Sequence, residues 1–517
     1  MKKVIWALAL WACAGASQAA TLILLNGRVF LPQPNQFAQA IAITGGVITA
    51  VGSNQEIANL ASASTKTIDL RGHLVIPGFN DAHVHFGTLP SPFILNTNPD
   101  NTFAEVKQAI QFALDETGAD TFFFGTIGPP VFFDSNATRA ALDAVAPGRK
   151  IMLTEFTGHG AILSTAALAA LGAANPTDPI GGKFERDLHG QLTGRVFEYA
   201  QYNLERTLAD STLDADDVAA LQQLSDQALR FGITTLQVMP NMNSPRFDAI
   251  VAQAHPKVRV RHLRMPMTTA TDLNVADGRG RVVRPVKWIL DGTPIERGAA
   301  LRTNYTGTAV SGVENFTPQQ LRTMLADAIA HDEQPLLHAG GDRTIVTIFK
   351  VMLALDRTDW PARRLRLEHG DGLQSDLILG ARQLGVVVVQ NPTHLPFRNF
   401  YPAGDYMLLR TLVAKGVKLA FGSDGPLDPF LNLQLAVTHP VVPDEKLTLF
   451  QALTAYTAGS AFAEQLDDKG QIAPGQVADL AVLSQDLFAR TPDQYVGTES
   501  ILTIVGGKIA FDAGVLP

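Results

Sequence analysis

Short apolar runs broken by Gly and Asn turns open the chain: LILLNGRVF, AIAITGGVITAVG and TIDLRGHLVI follow one another with no competing helical period. They predict a small β module over residues 21–77, behind an opening segment, 1–20, of different character. The far end, 472–517, repeats the style with ADLAVLS and then TESILTIVGGKIAF, two β runs around a Gly-Gly turn. The two ends are therefore expected to pair into one β-sandwich beside a central domain over 78–471. In that central stretch apolar strand-like runs alternate with helix-like segments, the pattern of βα units and a parallel sheet. Thr102-Phe103-Ala104-Glu105 gives a capping box before VKQAIQFALDE, and FTPQQLRTMLADAIAHD and LTLFQALTAYTAGSAFAEQL carry helical periodicity.

The strand candidates are VIPGFNDAHVH, GITTLQVM, VRVRHLRM, PVKWILD, PLLHA, LRLEH, GVVVVQN and VKLAFGSD. Eight βα units close a TIM barrel, whose chemistry sits at the C-terminal ends of its strands. The expected fold is thus α/β: a (β/α)8 TIM barrel with a small β-sandwich domain formed by both chain ends. TFFFGTIG and KIMLTEF also read as strands, and are assigned to a long insertion after the first barrel strand, about 86–230.

Composition narrows the class. With 517 residues, 46% hydrophobic and 17% charged, the chain has the makings of a large buried core and lacks the signature of disorder. The net charge of −8 and the absence of any Lys/Arg run argue against a nucleic-acid partner. Lys2 and Lys3, an apolar stretch from Val4 to Ala12 and then small residues read as an export signal, with cleavage after Ala19 or Ala20 and a periplasmic or secreted product. Leu10-Trp11-Ala12-Cys13 also resembles a lipobox, the alternative being a lipid anchor at Cys13. Because Cys13 is the one cysteine, a processed chain would hold no thiol, which excludes disulfides, thiolate catalysis and Cys-ligated metal. No later stretch reaches the roughly 18 uninterrupted apolar residues of a membrane span.

Cation-binding residue types recur where the apolar runs end. His83 and His85, two apart on one strand, project to the same face and can grip one ion. Lys287 interrupts Val286-Lys287-Trp288-Ile289-Leu290; it is either a lysine that meets Asp291 or Glu296, or one carboxylated on Nζ into an anionic oxygen ligand. His338 ends PLLHA, His369 ends LRLEH, and Asp424 follows LAFGS. Singly, such residues are commonly core or turn groups. Five successive strand ends in the order HxH, Lys, His, His, Asp would need five independent accidents, so they are read as one site.

These residues carry a resemblance to the amidohydrolase superfamily, and within it to family 3, the YtcJ-like branch that includes N-substituted formamide deformylase. The match runs through Pro77-Gly78-Phe79-Asn80-Asp81-Ala82-His83-Val84-His85, Val286 to Gly292, His338-Ala339-Gly340-Gly341-Asp342, Glu368-His369-Gly370, Gly422-Ser423-Asp424 and Pro474 to Leu480. The resemblance implies that His83, His85 and Asp424 bind one divalent metal, that His338 and His369 bind a second, and that carboxylated Lys287 bridges them. Zinc suits this N/O set, with Mn, Fe or Co as alternatives. Asp424 would move the proton during hydrolysis of a small non-peptide amide of N-acyl, formamide or carbamoyl type. Esters or lactones on the same site, or a catalytically silent binding protein, are the alternatives; a homo-oligomer is allowed.

His159, in Phe156-Thr157-Gly158-His159-Gly160, resembles a branch motif that is usually Asp-Gly-His-Ser; it is either a hydrogen-bond donor to substrate or oxyanion, or a plain loop histidine. Gly340 stands where the branch commonly has Ile, and Gln237-Val238 replaces a usual acidic strand end. Asp342 and His394 are pocket or supporting candidates.

Overall fold

The computed structural model describes residues 19–90, 92–270 and 284–517, so the expected signal segment over 1–18, with Cys13, lies outside the described residues. Eight parallel strands form the centre: β1 (Phe79–Phe86), β2 (Ile233–Pro240), β3 (Arg259–His262), β4 (Arg284–Ile289), β5 (Glu333–Ala339), β6 (Arg366–His369), β7 (Val387–Gln390) and β8 (Lys418–Phe421). They coincide with the eight runs read from the sequence. β3-β2-β1 make one sheet and β4 to β8 another, in chain order. A parallel bridge between Arg264 and Val286 links β3 to β4. At the far edges the Asp424 backbone N–H donates to the His83 carbonyl at 2.9 Å, bringing the end of β8 onto β1. A Cβ on Gly422 would run into His83, so this close approach of two backbones requires glycine there.

Apolar side chains from the outer faces of these strands and from the intervening helices make the main core, including Phe79, Leu236, Trp288, Leu337, Leu367 and Phe421. The inward faces are polar in layers. Lys469 donates to Thr235 at 2.9 Å near the base and pairs with Glu464. Above it, the Gln237 carbonyl accepts from Arg261 at 3.0 Å and from Arg366 at 2.5 Å, and Arg261 also donates to Gln334 at 2.8 Å. Gln237 thus serves two buried guanidiniums as an acceptor, which accounts for an amide at that departure from the branch pattern.

The two chain ends share a sheet. Leu480–Leu483 pairs antiparallel with Leu74–Pro77, Ala481 facing Ile76, in a six-stranded sheet that also holds Ser500–Val505 and Lys508–Asp512. The last two strands turn through Gly506 and Gly507, both at positive φ, as a two-residue hairpin of primed type demands. A second sheet of four strands, Leu22–Leu25 among them, packs Leu24 and Ile41 with Leu480, Val482 and Ile504 in one core.

Six further strands from Phe93–Ile94 to Leu192–Glu198 form their own sheet, which contains both TFFFGTIG and KIMLTEF. After it comes the helix Tyr199–Ala209, and then Asp214–Arg230, which sends Leu221, Ala228 and Leu229 into the main core. Among the described residues no helix is long and apolar enough to cross a membrane.

Candidate active site and metal centre

A cavity of about 490 Å³ opens at the C-terminal ends of the eight strands; His85, Lys287, His338, His369 and Asp424 line it together with His159. His83 lies beneath, fully buried. Asp424 is the hub. Its carboxylate oxygens lie 3.6 Å from His83 Nε2, 3.5 Å from His85 Nε2, 3.8 Å from His369 Nε2 and 3.7 Å from His394 Nε2. Possible ligand atoms of His83, His85 and Asp424 fall within 4.8 Å of one another, as do those of His369, His394 and Asp424. His338 belongs to neither group, but its ring lies 4.4 Å from that of His369 and 4.8 Å from that of His159. Lys287 Nζ is 3.1 Å from His83 Nε2 and 2.9 Å from Met239 Sδ.

Sharp backbone turns aim these groups. His369 has φ 64° and Asp424 has φ 38°, left-handed values that cost a non-glycine residue about 1–3 kcal/mol and that persist where the surroundings fix them. Burial, ahead of the charge of Lys287, holds His83 well below the ordinary histidine value; burial also dominates for His338 and His369. Neutral imidazole is the form that binds a cation. Burial would raise Asp424, but His83, His85, His394 and Lys287 overcome it and keep the carboxylate ionised.

The donor set therefore fits a divalent cation: imidazole nitrogens, a carboxylate, and a buried lysine whose Nζ faces a histidine. Two further observations agree. Among the described residues, His338 Nε2 and His369 Nδ1 are buried without a hydrogen-bond partner, a state that ordinarily costs about 1–3 kcal/mol each. His83, in contrast, donates from Nδ1 to Glu368 at 2.7 Å, which fixes its tautomer and turns Nε2 toward the cavity side. Glu368 is itself held by Arg366 at 2.7 and 3.0 Å, and all three side chains are fully buried.

His159 reaches the cavity from the six-stranded sheet. Its Nδ1 lies 3.0 and 3.2 Å from the Glu198 carboxylate oxygens and 2.9 Å from the Tyr202 hydroxyl. Burial opposes a charge on this ring, but Glu198, then Glu296 and Asp424, raise it to about 9. Glu198 also accepts from Asn315 at 3.1 Å, and its backbone sits at φ 53°, ψ −128°, where the last strand of that sheet breaks into helix. His159 is thus held on Nδ1 by Glu198 and Tyr202 and lines the cavity.

Sequence reading passed over Glu198 and named Glu368 and Asp291 without the partners they have in the structure. Asp291 accepts from the Ala300, Gly340 and Gly341 N–H groups, each at 2.9 Å, and from Thr344 at 2.7 Å, tying down the turn beyond His338. At Gly340 a Cβ would come 2.9 Å from the Gly292 carbonyl and 3.3 Å from the Tyr401 hydroxyl, so the tight turn explains why Ile is absent. Arg366-Leu367-Glu368 carried the available signal for Glu368: two charges at alternate positions of an apolar strand face the same interior. Asp342 pairs with Arg302 at 2.7 Å and does not line the cavity, while His394 does.

Comparisons with known proteins agree with this layout. Residues 66–511 match the amidohydrolase family. N-substituted formamide deformylase of Arthrobacter pascens is 24% identical over 96% of this chain and 99% of its own, and putative amidohydrolase YtcJ of Bacillus subtilis is 26% identical over 92% and 96%. A solved structure of an uncharacterized metal-dependent hydrolase from Pyrococcus horikoshii shares the fold, with TM-score 0.71 at 19% identity, over 92% of this chain and 99% of that one. With a match across most of its length and the strand-end residues in place, the chain belongs to the amidohydrolase family.

Proposed function

We propose that the protein is an exported metal-dependent hydrolase that cleaves the C–N bond of a small non-peptide amide, on a closed (β/α)8 barrel flanked by a sandwich from both chain ends. The observation that carries this reading is the convergence of His85, Lys287, His338, His369 and Asp424 on one cavity with His83 beneath them, two imidazole nitrogens being buried and without a hydrogen-bond partner among the described residues. His83, His85 and Asp424 would hold one cation, His338 and His369 a second, and Lys287, once carboxylated on Nζ, would supply an oxygen to both. His394 stands close enough to Asp424 to steady its carboxylate. Bound there, the cations supply a water acidic near neutral pH and polarise a carbonyl.

The chain's own groups do the rest. Asp424, ionised among four imidazoles, accepts the proton released at the attacking water and returns it to the leaving nitrogen. His159, with Nδ1 occupied by Glu198 and Tyr202, presents Nε2 to the carbonyl oxygen as negative charge develops there. Phe156, Phe397 and Tyr401 wall the cavity and exclude water from the reacting centre.

The test is turnover of a panel of N-formyl, N-acyl and carbamoyl amides beside ester analogues of the same acyl groups, after loading with Zn, Mn or Co. Amide hydrolysis that disappears in Asp424→Asn is expected. Ester hydrolysis without amide hydrolysis would reassign the bond, and zero turnover across the panel with every metal would overturn the enzyme reading.

A further inference from the structure

One carboxylate in the cavity wall has no role in the chemistry above. Glu205 lies on the helix Tyr199–Ala209, one turn beyond Tyr202, so both side chains share the face that looks into the cavity. Its hydrogen bond is with Gln201, whose Nε2 donates to Glu205 Oε1 at 2.8 Å. Among the described residues it makes no ion pair: the neighbouring Arg206 is turned to the Met265 carbonyl at 2.9 Å. Burial, against the Gln201 hydrogen bond and the charge of His159, pushes Glu205 up to about 7.

A half-buried carboxylate that faces a cavity with no ion pair among the described residues, and only the charge of His159 nearby, carries a desolvation cost that a cationic ligand would offset. The rest of the wall points the same way. Asp371 is a second lining carboxylate; it receives long contacts of 3.4 Å from Gln390 and from the Tyr401 hydroxyl and, among the described residues, no ion pair from Lys or Arg. Of the basic groups that line the cavity, Lys287, His85, His338 and His369 belong to the proposed metal set, His394 neighbours Asp424, and His159 is engaged by Glu198. Tyr202, Phe156 and Tyr401 also line it, and aromatic rings favour a neighbouring ammonium over an anion. A cavity walled by carboxylates and aromatic faces selects for positive charge.

We propose that Glu205 is a specificity-determining residue that receives a protonated nitrogen of the substrate. The substrate class is then an amide carrying a second, cationic nitrogen a few bonds from the scissile carbonyl. This deepens the hydrolase reading and rests on it for the word substrate; the recognition itself rests on the wall of the cavity.

The experiment uses the metal-loaded protein and two matched series: monoacetylated α,ω-diaminoalkanes of three to six carbons, and N-acetylalkylamines of equal length. Binding is measured by calorimetry and turnover by product amine, for wild type, Glu205→Gln and Glu205→Asp. Wild type is expected to favour the best cationic member over its neutral partner by about tenfold or more, the range of one charge-assisted hydrogen bond, with the gain in Kd and KM rather than kcat. Glu205→Gln should bring the ratio close to one, and Glu205→Asp should restore part of it or move the preferred length. No preference in wild type, binding of neither series, or an undiminished ratio in Glu205→Gln would overturn the proposal. A retained preference in binding with no turnover of either series would leave Glu205 as the recognition residue and, joined by zero turnover across the wider panel, overturn the hydrolase reading alone.

Discussion

Glu368→Gln is the most informative single change, because it keeps the shape of a fully buried side chain and removes only its charge. Glu368 receives three short hydrogen bonds, from His83 Nδ1 at 2.7 Å and from Arg366 at 2.7 and 3.0 Å. The amide keeps one oxygen as acceptor but confronts a buried guanidinium or imidazole N–H with a second donor. Arg366 still reaches Gln237 and the Ala82 carbonyl, so the structure partly compensates. Removing one partner of a buried pair costs about 3–5 kcal/mol when nothing else compensates, so a loss of about 2–4 kcal/mol is expected. The second consequence is functional. His83 no longer has its Nδ1 proton fixed, and loss of such a support weakens metal binding by about 10–100-fold. Urea denaturation of the metal-free protein reads the first effect and competition with a chromophoric chelator reads the second. A variant that unfolds at the wild-type urea midpoint and binds Zn with wild-type affinity would refute the role given to the buried Arg366–Glu368–His83 network.

Two further outcomes follow from the other supporting groups. Glu198→Gln should lower kcat by about tenfold or more with KM little changed, while His159→Ala costs about 10²–10³, and the double variant should be no worse than His159→Ala alone; independent, multiplying losses would separate the two residues. Glu155 is raised to about 8, first by burial and then by the charge of Glu296. Since its folded value lies above the ordinary 4.5, the stability it contributes is full at low pH and is lost as pH rises through about 8. Denaturation midpoints from pH 5 to 9 should therefore fall less steeply for Glu155→Gln; parallel slopes would remove Glu155 as the cause.

The eight strands were legible from their apolar runs, five of which (β1, β4, β5, β6 and β8) also carry a chemically marked residue, and a period-two strand carries its ligand pair on one face, as with His83 and His85. The paired ends were legible from the Gly506-Gly507 hairpin and the runs around it. What the pattern did not show lies in tertiary geometry. Glu198 sits at a strand-to-helix break inside the insertion, 39 residues from the His159 it holds, and nothing local marks it. Glu205 reads as an ordinary polar position on an amphipathic helix until the fold turns that face into a cavity. Glu368 stood in view beside His369, but its work is done on His83, 285 residues away. Gly340 looked like a departure from the branch pattern and is required by the Gly292 carbonyl and Tyr401 packed against it.

The central claim is that six side chains at the strand ends hold cations. It is tested most directly by the metal content of the purified, Zn-reconstituted chain, measured by elemental analysis. About two equivalents per chain are expected, falling to about one or less in His338→Ala. A wild-type chain that retains no divalent metal after reconstitution would contradict the account.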